Sequence, residues 1–213
     1  MKRVLLGSGL TILLALSVSQ FESARAQAQA PQGKPLTIRG KIGAVEKGAL
    51  KVTTSAGDVL VKFADDVRVG AVEAAKLSDI GAGNYVGTTA VKQPDGTLKA
   101  LEVHIFPESS RGTGEGHRPW DLQPGSTMTN ANVDKIEAFA AEKVQGQLLT
   151  LKYKDGEQKI FVPPGTPIVK NVAADRSLLQ PGTGVYIAAV RGEDATITAT
   201  RITAGIGGIM PPM

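Results

Sequence analysis

The clearest pair of side chains that could bind a metal lies in the segment LKALEVHI at positions 98–105. Glu102 and His104 are two residues apart, so in a strand they share one face and could act as two ligands. The alternation predicts that the core takes the apolar residues Leu101, Val103 and Ile105. We therefore expect Glu102 and His104 on the solvent-exposed face. The matching segment later in the chain has Arg201 and Thr203, which are poor ligands, so we predict no metal site.

A second group of reactive side chains lies in the Gly- and Pro-rich segment 107–128, which contains His117, Arg118, Asp121 and the only tryptophan, Trp120. Carboxylates on a glycine-rich loop are not held in place for a metal, so we predict none here. A lone tryptophan is a large contact residue when it is docked. We predict that Trp120 packs at a junction between two folded units, anchored by Arg118 and Asp121. It is either a structural pin or one wall of a binding cleft, to which His117 could add a polar group.

Two tyrosines complete the candidate binding residues. Tyr85 and Tyr186 each follow a Gly-x-Gly pair, in the segments LSDIGAGNYV and LLQPGTGVYI. A tyrosine repeated in this way is either a packing residue or a platform on which a ring can stack.

Composition disfavours most kinds of catalysis. Without cysteine, the chain has no disulfide, no cysteine nucleophile and no cysteine-ligated metal. The run Gly112-x-Gly114-x-Gly116 lacks the Lys-Ser/Thr ending and the helix of a phosphate loop. No serine and no pair of acids stands in a recognisable catalytic pattern with the two histidines. We therefore expect a protein that is not an enzyme and has no cofactor.

Two copies of one β-rich unit position these residues. Apolar and polar residues alternate in short runs, which turn signals such as Gln93-Pro-Asp-Gly96 separate. The same order returns about 100 residues later. The matches between the first and second copies are Leu50–Thr54 with Leu149–Tyr153, Gly81 and Gly83 with Gly182 and Gly184, and Leu98–Ile105 with Ile197–Ala204.

Each copy is predicted to have about five strands and one short helical interruption, at Ala71–Ser78 and at Ala173–Leu179. This order of elements is typical of a small OB-like barrel. We therefore predict an all-β fold of two tandem five-stranded OB-like barrels, each with a short helical turn. A sandwich is the alternative, because strand order cannot be read from one sequence. Units of about 70 residues bury little core alone, so the two are expected to pack together.

The amino terminus has the pattern of an export signal. Lys2 and Arg3 precede an apolar run of about 15 residues, too short to span a membrane, and Ala24-Arg-Ala26 is a typical cleavage site. We expect a signal peptide at 1–26, cleaved after Ala26, and a periplasmic or secreted protein without a transmembrane span. The other predicted segments are a flexible leader at 27–35, a barrel at 36–106, a linker without regular structure at 107–128, a barrel at 129–204 and a Gly/Pro tail at 205–213.

Charge argues against nucleic acid as a partner. The formal net charge is +4, and the predicted signal peptide carries three basic residues and one acidic residue. Cleavage would therefore leave a nearly neutral chain, whereas binding to nucleic acid needs a basic groove.

The repeated order of turn, apolar strand, Leu-x-x-Gly-x-x-Val/Ile, strand, Asp-Gly turn and strand resembles a bacterial exported family of unknown function whose domains occur in tandem. The segment Arg118-Pro-Trp-Asp121, followed by Pro124-Gly-Ser-Thr-Met-Thr-Asn130, resembles rhizobial-type members. The likeness covers nearly the whole chain after the signal and implies a fold rather than an activity.

The sequence as a whole favours an exported, non-enzymatic β protein that binds a small molecule or a protein partner near the junction of its two barrels. The alternatives are a structural module of the cell envelope without a ligand, and a periplasmic metal-binding or hydrolytic protein. The pattern of residues specifies no oligomeric state.

Overall fold

A computed structural model of the chain describes residues 33–141 and 144–212. The predicted signal peptide and most of the predicted leader lie outside these residues. The described part consists of strands, turns and short 3-10 turns, which confirms the all-β fold class. It contains no helix long and apolar enough to cross a membrane.

Thirteen strands follow one another in the described residues. They are β1 (Lys34–Glu46), β2 (Ala49–Thr54), β3 (Gly57–Lys62), β4 (Arg68–Ala74), β5 (Tyr85–Lys92), β6 (Leu98–Ile105), β7 (Gly116–Pro119), β8 (Ser126–Ala141), β9 (Val144–Tyr153), β10 (Gly156–Val162), β11 (Ile168–Ala173), β12 (Gly184–Arg191) and β13 (Ile197–Gly205). The 3-10 turns are Leu77–Asp79, Glu108–Ser110, Arg176–Leu178 and Ile206–Gly208.

Alternation and turn chemistry explain the local structure. In β2, Leu50 and Val52 are fully buried while Lys51 between them is exposed, as a half-buried strand requires. Between β5 and β6, the Gln93 carbonyl accepts a hydrogen bond from Gly96 N at 2.9 Å, and Gly96 takes a φ of +87°. Glycine adopts that left-handed conformation without a steric cost, so the predicted hairpin is confirmed.

The strands of the two sequence copies pair with each other. The order of pairing is β3, β2, β1, β12 and β13. The last strand, β13, pairs with the first, β3, and so closes the ring. We call these five strands the first ring. The second ring is β10, β9, β8, β5 and β6, and it closes where β6 pairs with β10. Each ring thus takes three strands from one copy and two from the other.

The tandem arrangement predicted from the sequence is therefore not confirmed. Residues 36–106 supply β1, β2 and β3 to the first ring but β5 and β6 to the second. Alternation indicates which face of a strand is buried, but it carries no information about which strand lies beside it.

Two central strands join the rings into one mixed sheet. β4 pairs with β13 and β11 pairs with β6, both in parallel, while β4 and β11 pair with each other in antiparallel orientation. Separate apolar cores fill the two rings. Buried members of the first core include Leu50, Val52, Val61, Ile187 and Ile202, and those of the second include Val86, Val103, Leu149, Leu151 and Ile160.

These central strands also correct the predicted helical interruptions. Ala71–Ala74 belongs to β4 and Ala173 ends β11, and only the 3-10 turns at Leu77–Asp79 and Arg176–Leu178 are helical in type. Each of the two strands is hydrogen-bonded on both sides, so sheet pairing outweighs the helix propensity of alanine and glutamate.

The match between the corner glycines is wrong by two residues. Gly83 and Gly182 are the residues with left-handed φ, +84° and +91°, and each donates its N–H to the next strand of its ring. Gly83 therefore corresponds to Gly182 and not to Gly184. A Gly-x-Gly pattern offers two glycines for one turn, so the sequence alone cannot choose between them. As a consequence, Tyr85 and Tyr186 are not structural counterparts.

Candidate functional site

A pocket of about 470 Å³ lies between the two rings. One wall comes from β6, β8 and the segment before β8, and the opposite wall from β12 and β13, with β4 and β11 between them. We call it the junction pocket. Its polar and aromatic residues include Arg118, Trp120, Asn130, Tyr186, Arg201 and Thr203.

Segment 107–128, predicted as an unstructured linker, has regular structure of its own. It forms the 3-10 turn Glu108–Ser110 and strand β7, which pairs with β8. After β7, the Trp120 N–H donates to the Ser126 carbonyl at 2.9 Å, and Ser126 Oγ donates to the Trp120 carbonyl at 3.0 Å. These bonds fix the turn that carries Trp120 into the pocket wall. The sequence predicted a linker because the segment is rich in glycine and proline. Strand β7 was missed because a strand of that length shows little alternation.

Trp120 and Arg118 line the junction pocket between the two rings. The indole is partly buried, and the Arg118 guanidinium lies over it at 5.5 Å from the ring centroid. Arg118 also donates to the Gly114 carbonyl at 2.7 Å. Asp121 forms an ion pair with Arg39 of β1 at 2.9 Å. Segment 107–128, which continues from the second ring, is thus attached to the first.

The Asp121–Arg39 contact also sets the charge at the edge of the pocket. Burial opposes ionisation of Asp121, but the hydrogen bond and charge of Arg39 outweigh it and hold the pKa of that carboxyl below its usual value. The Arg39 guanidinium lies 5.2 Å from the centroid of the Tyr186 ring. Tyr186 lines the junction pocket, and burial raises the pKa of its hydroxyl.

Tyr85 and His117, two further candidates, lie outside the junction pocket. The Tyr85 side chain is buried, and its hydroxyl donates to the Thr113 carbonyl at 3.1 Å, so Tyr85 is a packing residue that holds segment 107–128. His117 is exposed on β7, and its Nδ1 lies 2.8 Å from Thr129 Oγ1. Burial of part of the ring lowers the pKa of His117. No group of three or more histidine and acidic side chains that could hold a metal occurs in residues 33–141 and 144–212.

The predicted exposure of Glu102 and His104 is wrong. Their exposed fractions are 1% and 0%, because the outer face of β6 is covered at the junction of the rings. A β-bulge opposite Thr89 and Ala90 shifts the alternation at Leu101, so Ala100 joins the core and Leu101 does not. A single extra residue in a strand is invisible to a period-two pattern.

Glu102 and His104 form a buried polar pair instead. His104 Nδ1 lies 3.1 Å from Asn171 Oδ1, and His104 Nε2 lies 2.6 Å from the Pro212 carbonyl. The His104 ring is 3.8 Å from Glu102 Oε1, which accepts a hydrogen bond from Thr89 Oγ1 at 2.6 Å. Burial raises the pKa of Glu102, although the nearby His104 partly opposes this. His104 therefore ties the tail of the chain to the wall of the junction pocket.

Three buried polar atoms of the junction pocket residues have no hydrogen-bond partner among the described residues. They are Trp120 Nε1, Asn130 Oδ1 and Thr203 Oγ1. Sequence reasoning missed Asn130 and Thr203 as site residues, and it treated Arg201 only as the counterpart of Glu102. The correspondence between Arg201 and Glu102 could have identified Arg201 as a site residue, because both residues lie on the outer face of their rings, where the rings meet.

Comparison of the chain with known protein families, curated proteins and solved structures finds no match. The resemblance to a tandem exported family stays a prediction.

Proposed function

We propose that this chain is an exported, non-enzymatic β protein that binds a small molecule in the junction pocket. The observation that carries the proposal is the set of unpaired polar atoms on Trp120, Asn130 and Thr203, which all belong to the lining of one pocket. Buried polar groups in folded proteins almost always have hydrogen-bond partners, so a ligand in the pocket that supplied partners to these groups would be stabilised there.

The composition of the pocket supports the same role. Apolar surface comes from side chains such as Phe106 and Met128, and the polar groups converge from both rings. A mostly apolar pocket with a few placed polar groups, at the interface between two folded units, is the usual form of a small-molecule site. Its volume of about 470 Å³ suits a ligand of one or two rings.

The fold that we propose for this role is a pair of small OB-like barrels that exchange strands between the two sequence copies. The ring pairing of five strands, the separate apolar core in each ring and the 3-10 turn before β5 and β12 support it. Because the copies exchange strands, the chain crosses from one barrel to the other twice. The outer faces of the barrels are thereby held against each other, and the pocket is formed between them.

We propose binding rather than turnover because His104, the histidine in the pocket, is engaged at both ring nitrogens. A general base needs a ring nitrogen free to reach the proton it abstracts. Export to the periplasm or the medium remains part of the proposal on the pattern of residues 1–26 alone.

A structural role without a ligand is the second candidate, and the Asp121–Arg39 ion pair favours it. This contact and the hydrogen bonds between Trp120 and Ser126 would attach segment 107–128 to the first ring whether or not a ligand is bound. In that case Trp120 acts as a pin between the rings.

A screen of uncharged and charged ring compounds by ligand-observed NMR tests the proposal. We expect several compounds to bind the wild-type protein and to lose binding in Trp120→Leu. Phe139→Leu is the matched control, because it removes an exposed ring of β8 outside the pocket. If no compound binds, or if binding is unchanged in Trp120→Leu while both variants stay folded, the pocket has no ligand role and the structural candidate stands.

A further inference from the structure

The junction pocket has an unusual balance of charge. Arg118 contributes from β7 on one wall and Arg201 from β13 on the other, and no aspartate or glutamate is among the described residues that line the pocket. Neither guanidinium forms an ion pair with a carboxylate in the described part of the chain. Two such groups around one cavity produce a positive potential that attracts an anion.

Arg201 also has a cationic residue beside it in the sheet. In the parallel pairing of β13 with β4, Arg201 is the register partner of Arg68. Residues paired across neighbouring strands project to the same face of a sheet, and like charges side by side destabilise it. Gly70 lies two residues after Arg68, and a Cβ placed there would be in van der Waals contact with Arg201 Nη2 at 4.0 Å, so the guanidinium of Arg201 lies over Gly70. The sheet therefore places two arginines beside the pocket, while the described residues that line it include no aspartate or glutamate.

Flat apolar surfaces accompany this charge. Trp120 and Tyr186 both line the pocket, Trp120 on the wall of the second ring and Tyr186 on that of the first. Tyr186 occupies the register position that Gly87 occupies in the second ring, since Tyr186 pairs with Thr203 and Gly87 pairs with His104. The ring of Tyr186 is thus present in one copy only. A Cβ at Gly87 would lie 2.8 Å from Asn130 Oδ1, so a tyrosine could not be accommodated there.

We propose that the junction pocket selects an anionic ring compound, a planar ring that carries a phosphate or a carboxylate. The ring lies against Trp120 and Tyr186, and the anionic group accepts hydrogen bonds from Arg118 and Arg201. Guanidinium groups bind phosphate and carboxylate through pairs of charge-assisted hydrogen bonds, which is why both anions belong to the same chemical class here. This inference rests on the proposed small-molecule site and adds the class of its ligand.

Calorimetric titration with three probes tests the ligand class. The probes are 1-naphthyl phosphate, which has ring and charge, 1-naphthol, which has the ring alone, and inorganic phosphate, which has the charge alone. We expect 1-naphthyl phosphate to bind at least about tenfold more tightly than either of the others, and its affinity to fall as salt is added. Carboxylate and phosphate as sources of the charge are distinguished by repeating the titration with 1-naphthoate.

Arg201→Gln is the decisive variant. The Arg201 side chain is exposed and donates no hydrogen bond to another described residue, so we expect the substitution to leave the fold intact. We expect a loss of about tenfold in affinity for 1-naphthyl phosphate and no change for 1-naphthol. Arg191→Gln is the matched control, an exposed arginine at the end of β12 outside the pocket, and it should bind as the wild-type protein does. Arg118→Gln provides a second test from the opposite wall.

The outcomes separate the two proposals. If 1-naphthol binds as tightly as 1-naphthyl phosphate and both arginine variants behave as wild type, the site binds rings without selecting an anion, and this inference fails alone. If none of the probes binds and Trp120 fluorescence does not respond to them, the small-molecule site itself fails.

Discussion

Replacement of Glu102 by glutamine tests the buried polar pair at the junction. Glu102 is 1% exposed, and burial raises the pKa of its carboxyl above the ordinary value of 4.5. A raised pKa means that the folded protein holds the proton more tightly than the unfolded chain. The stability that Glu102 contributes is therefore complete below pH 4.5 and is lost as the pH rises towards the folded pKa.

The size of the effect follows from linkage. Between the unfolded and the folded pKa, one extra proton is bound in the folded state, so the free energy of unfolding falls by up to about 1.4 kcal/mol per pH unit. His104, 3.8 Å from the carboxylate of Glu102, and the charge of Arg39 both favour the ionised form. They lower the folded pKa of Glu102 and so bring it closer to the unfolded pKa. Glutamine has no proton to lose and can still accept the hydrogen bond from Thr89. Glu102→Gln should therefore remove the part of this pH dependence that Glu102 contributes.

Urea unfolding at a series of pH values from about 4.5 to 7.5 measures this slope. We expect the wild-type protein to lose stability across the lower part of the series and Glu102→Gln to lose less. Glu157→Gln is the control, because Glu157 is exposed on β10 and its replacement should leave the wild-type slope unchanged. Equal slopes in wild type and Glu102→Gln would refute the argument that a buried carboxyl at this junction titrates with folding.

Three further outcomes follow from the fold. If the chain is divided at Gly112, each half holds only part of each ring, so neither half should fold as a monomer. The two halves should instead form a complex that unfolds cooperatively when they are mixed. A monomeric half with native circular dichroism would contradict the exchange of strands. Gly205→Ala should lower the free energy of unfolding by about 1–3 kcal/mol, since its methyl group would clash with the Ile209 carbonyl, while Gly81→Ala, with ordinary contacts, should cost far less. Trp120→Ala should cost less than the 3–5 kcal/mol typical of a fully buried ring, because the indole is only partly buried; a larger loss in thermal unfolding would mean a tighter contact than the structure has.

The alternating patterns predicted the strands that have one face on a core, but they missed β7 and the second half of β4. Leu50 and Val52 illustrate the correct predictions, and so does the hairpin at Gln93–Gly96. The pairing between copies could not be predicted, since strand partners are chosen by contacts far apart in sequence. A strand shared between repeats has the same pattern as one kept within a repeat.

The candidate site was predicted in part, and the misses have identifiable causes. Trp120 was found because its residue type is costly to leave exposed, and Arg118 and Asp121 lie beside it in the chain. Arg201 and Thr203 were missed because the outer face of β13 was expected to meet solvent, whereas it lines the junction pocket. The first ring packs against the second on this face, and the alternation within a strand carries no information about that contact.

The most direct measurement is the quenching of Trp120 fluorescence by iodide and by caesium at equal ionic strength. Trp120 is the only tryptophan in the chain, so the signal reports on the junction pocket alone. Each quenching constant is divided by that of N-acetyltryptophanamide, which removes the intrinsic difference between the two ions. We predict a clearly larger normalised constant for iodide, and a smaller difference in Arg201→Gln, because the arginines concentrate anions beside the indole. Equal normalised constants, or a larger one for caesium, would contradict an anion-binding pocket at Trp120.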